Sequence, residues 1–163
     1  MNIRPVYLTD SGQIAEIYNY YILNSHQTFE TEPLSGAEMQ KRIAEITENY
    51  PYLVAEENEE ILGYAHANRF GFRQSYEYSA EVSIYVKNDA KQKGLGTQLY
   101  FDLFDELAET DIHVILAAIS LPNESGVRFH EKLGFKKVAH FNEIGYKLGR
   151  WIDVGYWQMT NRI

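Results

Sequence analysis

The sequence has no cysteine. Disulfides, thiolate metal sites and a cysteine nucleophile that could carry an acyl group are therefore excluded. Positive charge is in deficit: 15 Lys and Arg stand against 23 Asp and Glu, a formal net charge of -8 with a pI near 5.1. That balance argues against nucleic acid as a main partner, because phosphate backbones are met by basic surfaces; a small basic site for one anionic ligand remains open. No apolar run approaches membrane-spanning length, and the opening stretch "MNIRPVYLTDSG" lacks an apolar signal core, so no membrane contact is expected and the cytoplasm is the default location. The histidines His26, His66, His113, His130 and His140 show no H-E-x-x-H or related ligand spacing, and no metal site is expected. Repeats, low-complexity tracts and linkers are also missing. The 163 residues, 45% hydrophobic and 23% charged, suit a single domain with a proper core.

What is present alternates between strand and helix signals. "IRPVYL" (Ile3–Leu8) reads as a first strand, and "TDSG" offers helix N-caps. Ile14, Ile17, Tyr18, Tyr21 and Ile22 recur at helical spacing; Met39, Ile43 and Ile46 mark a second helix ending before Pro51. "YLVAEENEEILGYAHANRF" reads as two strands joined by an acidic turn. In "SAEVSIYV" (Ser79–Val86), Val82, Ile84 and Val86 face one way and Glu81, Ser83 and Tyr85 the other. Leu99, Leu103 and Leu107 with Tyr100 and Phe104 form the stripe of a third helix. "HVILAAISL" is apolar enough to be buried on both faces. "PNESGVRFHEKLG" reads as a fourth helix, capped by Asn123 or Ser125 and closed by Gly134. Two strands finish the chain. The order predicts a mixed α/β fold around one twisted sheet.

The stretch "AKQKGLGTQLY" (Ala90–Tyr100) lies between a strand and a helix. It is not a Walker A loop, and it fails as a dinucleotide fingerprint: Leu99 stands where the third glycine belongs and the next strand ends without a carboxylate. The glycines allow close approach of the backbone, and the amides of Gly94, Gly96 and Thr97 would open the helix as unpaired donors suited to an anion. The helix dipole adds roughly 0.3–1 kcal/mol for a negative group there. A plain strand-to-helix turn explains the same glycines.

The succession of a strand, a G-x-G loop, a helix, a buried strand and an asparagine opening a helix that ends in "KLGF" resembles the GNAT superfamily of acyl-CoA-dependent N-acetyltransferases. "FETEP", "YPYLVAE", "AEVSIYV", "GLGTQLY", "LPNESGVRFHEKLGF" and "GRWIDVGYWQ" are similar to its phosphinothricin acetyltransferase branch, which includes the methionine sulfoximine and methionine sulfone acetyltransferases. The likeness runs from about Arg4 to Met159. It implies a central twisted mixed sheet with helices on both faces, acetyl-CoA as co-substrate, an amino-acid-like acceptor and a homodimer.

Carried over residue by residue, the resemblance implies that Gln92, Lys93, Gly94, Leu95, Gly96 and Thr97 bind the CoA pyrophosphate. Lys91 stands at the motif's usual Gln/Arg position as a replaceable rim charge. The backbone of Ile84, Tyr85 and Val86 would pair with the pantetheine, with a backbone N–H near Tyr85 or Val86 serving the oxyanion. Asn123 would bond the pantetheine, although a helix N-cap is an equal role for it. Glu81 matches the family's general base or ammonium anchor; the plainer reading is an exposed strand glutamate. His130 takes the place of the tyrosine that serves as general acid in many members, and its ordinary pKa near 6.5 suits proton exchange; the plainer reading is a core histidine. The other histidines are assigned to structure or surface. For the acceptor, the resemblance implies Phe29, Gly71, Phe72, Arg73, Tyr76, Glu81, Val82, Ser83 and Val154, with Arg73 gripping an acidic group. Gly71 departs from phosphinothricin-specific members, which carry a lysine there. Acetylation of another amine, such as a protein N-terminus or an aminoglycoside, and a non-catalytic CoA sensor are the competing readings.

Overall fold

The computed structural model describes residues 1–90 and 93–161. Among these, seven strands form one sheet and four α-helices cover it. In chain order they are β1 (Asn2–Pro5), α1 (Ser11–Asn24), α2 (Gly36–Thr47), β2 (Tyr52–Glu57), β3 (Glu60–Arg69), β4 (Ser79–Val86), α3 (Leu95–Ala108), β5 (Val114–Leu121), α4 (Glu124–Lys132), β6 (Lys136–Lys147) and β7 (Arg150–Thr160). The sheet order is β1-β2-β3-β4-β5-β7-β6, antiparallel except for the parallel pair β4–β5. The predicted mixed α/β order is the observed one.

Local chemistry sets the element ends. β1 stops at Pro5, short of the predicted Leu8, because Tyr7 N–H turns to the Asp10 carboxylate (2.7 Å) and starts a short 3-10 turn. Asp10 occupies the N-cap position of α1 but does not cap it. Its carboxylate takes both ends of the Arg4 guanidinium (2.8 and 3.0 Å), which also holds Glu56 of β2. α2 begins in a capping box: Glu38 N–H donates to Ser35 Oγ and Ser35 N–H to the Glu38 carboxylate.

The sheet separates two apolar layers. On one face α3 and α4 bury Leu95, Leu99, Leu103 and Leu107 against Ala80, Val82, Ile115 and Ile119. On the other, α1 and α2 bury Ile14, Ile17, Met39 and Ile43 against Val54, Ile61 and Tyr64. The alternation read from β4 assigns its sides: Ala80 and Val82 join the α3/α4 layer, and Tyr85 packs in the α1/α2 layer. β5 departs from its prediction at one place. Ala118, in the middle of the apolar run, is exposed.

Candidate active site

Ala118 is exposed because the sheet opens beside it. β4 and β5 pair only at Ser79–Val114, Ala80–Ile115 and Glu81–Leu116, while β4 stays paired to β3 as far as Val86. Lys87 N–H bonds Leu62 on β3, and Tyr78 C=O accepts from the start of β5. Backbone groups alternate along a strand, so those of Tyr85 face β3 and those of Ile84 and Val86 face the opening. The Val86 carbonyl is taken by the Tyr21 hydroxyl. Ile84 therefore presents its N–H and C=O to the gap.

A cleft of about 740 Å³ fills the opening. It unites nine of the sequence-predicted residues: Phe29, Glu81, Val82, Ser83, Ile84, Tyr85, Asn123, His130 and Val154. Val86 does not line it. Of the loop before β4 only Phe70 lines it: Phe72 is almost fully exposed, its carbonyl held by Arg69, and Gly71, Arg73 and Tyr76 also lie off the lining. Tyr76 reaches the wall indirectly, through an edge-on contact with Phe70, which in turn meets Tyr156. Gly71 has φ +66°, and a Cβ there would sit 2.9 Å from the Tyr76 ring. A lysine at this position would be strained in this backbone.

Glu81 projects into the cleft with no hydrogen-bond or ion-pair partner among the described residues. Burial lifts its carboxyl above the ordinary range. Burial also raises Tyr156 and Tyr100, and the Glu81 charge adds to both. His130 is buried on α4, with Nδ1 2.8 Å from the Gly126 carbonyl. A carbonyl only accepts, so Nδ1 carries the proton and Nε2 offers its lone pair, 3.3 Å from the Tyr100 hydroxyl. Burial pushes the imidazole below its usual value, so it is neutral at pH 7. Asn123 caps α4 by accepting from Gly126 N–H (3.0 Å) while also lining the cleft. A Cβ on Gly126 would fall 2.5 Å from the Asn123 side chain, so the glycine is required for this cap.

The glycine loop meets α3 at one end of the gap. Gly94 takes φ +84° at the N-cap and has no side chain to close the helix. Gln98 N–H makes the first intrahelical bond, to Gly94 C=O (2.9 Å), leaving the amides of Leu95, Gly96 and Thr97 without helical partners. Leu95 spends its side chain in the core and Lys93 is exposed. Lys91 and Gln92 lie outside the described residues.

Other lining residues carried no functional signal in the sequence. Tyr100 reads as part of an apolar helix stripe and Tyr156 as one aromatic in an aromatic strand. Ser120 is a polar residue ending an apolar strand, and His26 follows a helix without any motif. No Lys or Arg is among the described lining residues. Arg42 lines a smaller cavity of about 330 Å³ that shares Ser83 and Tyr85 with the cleft. It is held by both oxygens of Glu30 at 2.5 and 2.7 Å.

Residues 3–155 match the Acetyltransferase (GNAT) domain family. The chain belongs to the GNAT acetyltransferases. Among GNAT relatives, a phosphinothricin N-acetyltransferase of Streptomyces coelicolor is 35% identical, covering 97% of this chain and 95% of that protein. An L-methionine sulfoximine/L-methionine sulfone acetyltransferase of Salmonella typhimurium is 33% identical, over 98% and 94%. The crystal structure of a GNAT phosphinothricin acetyltransferase from Sinorhizobium meliloti in complex with acetyl-CoA superposes with a TM-score of 0.94 at 34% identity, covering 98% of this chain and 88% of that one. The GNAT fold is thus shared from end to end, and the enzyme is an acyltransferase.

Proposed function

We propose that the chain is a single-domain, acetyl-CoA-dependent N-acetyltransferase. Its acceptor is the α-amino group of a small amino-acid-like compound of the phosphinothricin, methionine sulfoximine or methionine sulfone type. The observation that carries this reading is the unpartnered, half-buried Glu81 carboxylate at the point where β4 and β5 separate. The residues present fit acetyl-CoA. Ile84 offers open backbone groups along the gap, Asn123 stands across it, and the bare amides of Leu95, Gly96 and Thr97 suit a pyrophosphate, with Lys93 at the rim. When bound, acetyl-CoA supplies an electrophilic thioester carbonyl and a thiol leaving group.

The acceptor arrives as an ammonium ion and must shed two protons. Glu81 takes the first, directly or through a water, and leaves the nitrogen lone pair free to attack. Its raised pKa brings it closer to the working pH than an ordinary glutamate would be. Neutral His130 can receive the second proton at Nε2 through the Tyr100 hydroxyl, which donates to Nε2 and itself lines the cleft, and return it by the same path to the departing thiol. With no cysteine in the chain, direct transfer within a ternary complex follows.

Phe29 forms a wall of the acceptor site by lying over Gly145 of β6, where any Cβ would meet its ring at 2.3 Å. Val154 closes the far side. Arg73 lies off the lining and Gly71 is strained against lysine, so no cation of the described lining meets an acidic end of the acceptor. That arrangement favours a neutral side chain, sulfone or sulfoximine, over the phosphinate anion. We also assign a homodimer. β6 and β7 leave Phe141, Ile144, Tyr146 and Trp151 exposed, and two of these, Phe141 and Ile144, also border the cleft.

Release of free thiol from acetyl-CoA against a panel of amines tests the assignment. Turnover is expected with methionine sulfone and methionine sulfoximine. Glu81→Gln should lower kcat by about 10²–10⁴-fold and remove an acid limb lying above the ordinary glutamate range. Preferential acetylation of a peptide or an aminoglycoside would replace the acceptor class, and a Glu81→Gln enzyme within threefold of wild type, as a rough bound, would remove Glu81 from the chemistry.

A further inference from the structure

The cleft holds a second unpartnered acceptor. His26 leaves the end of α1 and lines the cleft beside Ser120, near the end of β5. The Ser120 hydroxyl lies 2.5 Å from the His26 carbonyl and 2.7 Å from His26 Nδ1. Because the carbonyl can only accept, the serine proton is committed to it, and Nδ1–H must donate to Ser120 Oγ. This closed pair of bonds fixes both ring and tautomer. Nε2 is left with its lone pair and no protein partner among the described residues. Burial, with the charges of Arg150 and Lys147 added, keeps the imidazole neutral.

Ser120 lies four residues along β5 from Leu116, the partner of Glu81, or about 13 Å of strand. Both side chains are on the α1/α2 side of the sheet, since Ile115, Ala117 and Ile119 belong to the opposite layer. A carboxylate side chain, two hydrogen bonds and an amino acid with a four-atom side chain fill such a span. An acceptor whose amine lies at Glu81 thus directs its far end at His26.

We propose that His26 is a specificity-determining residue whose Nε2 accepts a hydrogen bond from an N–H or O–H at the far end of the acceptor, with Ser120 as its positioning residue. The inference rests on the amino-acid acceptor reading above. It makes a discrimination that reading does not: methionine sulfoximine carries an S=N–H group where methionine sulfone has S=O, and only the former can donate to a neutral imidazole.

The experiment compares kcat/KM for these two acceptors in the wild type, His26→Phe, His26→Gln and Ser120→Ala. The wild type should favour the sulfoximine by about three- to tenfold, the value of one net hydrogen bond. His26→Phe should bring the ratio to about one by raising the sulfoximine KM, with the sulfone little changed. His26→Gln, which keeps an acceptor oxygen, should restore part of the preference. Ser120→Ala, a smaller disturbance should the phenylalanine variant fail to fold, should weaken it by freeing the ring. A wild type with no preference, or a His26→Phe enzyme in which both acceptors fall together, overturns the role of His26 while leaving the acceptor class standing. A wild type inactive on both compounds but active on another amine overturns both.

Discussion

At the scale of single residues, the histidines show how far identity and environment diverge. Five look alike in the sequence, yet two line the cleft, His130 with Nε2 on Tyr100 and His26 with Nε2 open. His66 serves stability instead. Its ring stacks on Tyr52 at 4.7 Å between centroids, and burial holds its pKa down to about 4 against an ordinary 6.5. Between those values the unfolded chain binds a proton that the folded one refuses. The contribution is fully present above pH 6.5 and is lost as the pH falls toward 4, by at most about 1.4 kcal/mol per pH unit. The urea midpoint of the wild type should therefore drop across this window, and that of His66→Phe should drop less. Parallel profiles would assign the acid sensitivity to another group. Glu81 was legible from strand alternation and resemblance. His26 was not, because its partner Ser120 is 94 positions away and no local pattern records the contact.

At the scale of elements, capping and cofactor binding converge on the start of α4. Asn123 accepts from Gly126 N–H and also faces the cleft, so a loss of activity on substitution could come from either role. Serine caps a helix about as well as asparagine, whereas alanine costs about 1 kcal/mol. Asn123→Ser should keep the thermal midpoint of the wild type and raise the acetyl-CoA KM, while Asn123→Ala should lower stability as well. If Asn123→Ser leaves KM unchanged, the residue is a cap alone. Most elements were readable one by one: period 3.6 in α3, period 2 in β4 and the spacing of Met39, Ile43 and Ile46 in α2 all state their structure locally. The parting of β4 from β5 is different. It depends on where pairing stops, and that is set by what packs against the two strands. Ile84 and Phe129 of α4 meet over Gly96, each 3.5 Å from where its Cβ would lie. No single element encodes that meeting.

At the scale of the whole molecule, β6 is one of the two edge strands and is exposed along almost all its length. An apolar edge of this kind invites pairing. Tyr146 and Trp151 form an edge-on pair there, about 60% exposed each. In sedimentation velocity the wild type is expected to run at twice the 18.9 kDa chain mass, and Trp151→Glu should shift it to the single chain. Because Phe141 and Ile144 of the same strand border the cleft, the variant should also raise the acceptor KM. A wild type that sediments as a single chain at every concentration tested would sink the dimer.

The sequence by itself determined the order of strands and helices, the exclusion of thiol chemistry and the face of β4 that carries Glu81. Each of these follows from local periodicity, capping or the presence of a residue type. The tertiary structure alone decided that β4 and β5 separate after three pairs, that Arg73 lies off the lining, and that His26, in the cleft wall, is locked by Ser120 with Nε2 unpartnered among the described residues. These are long-range contacts between segments far apart in the chain, and their geometry comes from how the layers pack on the sheet.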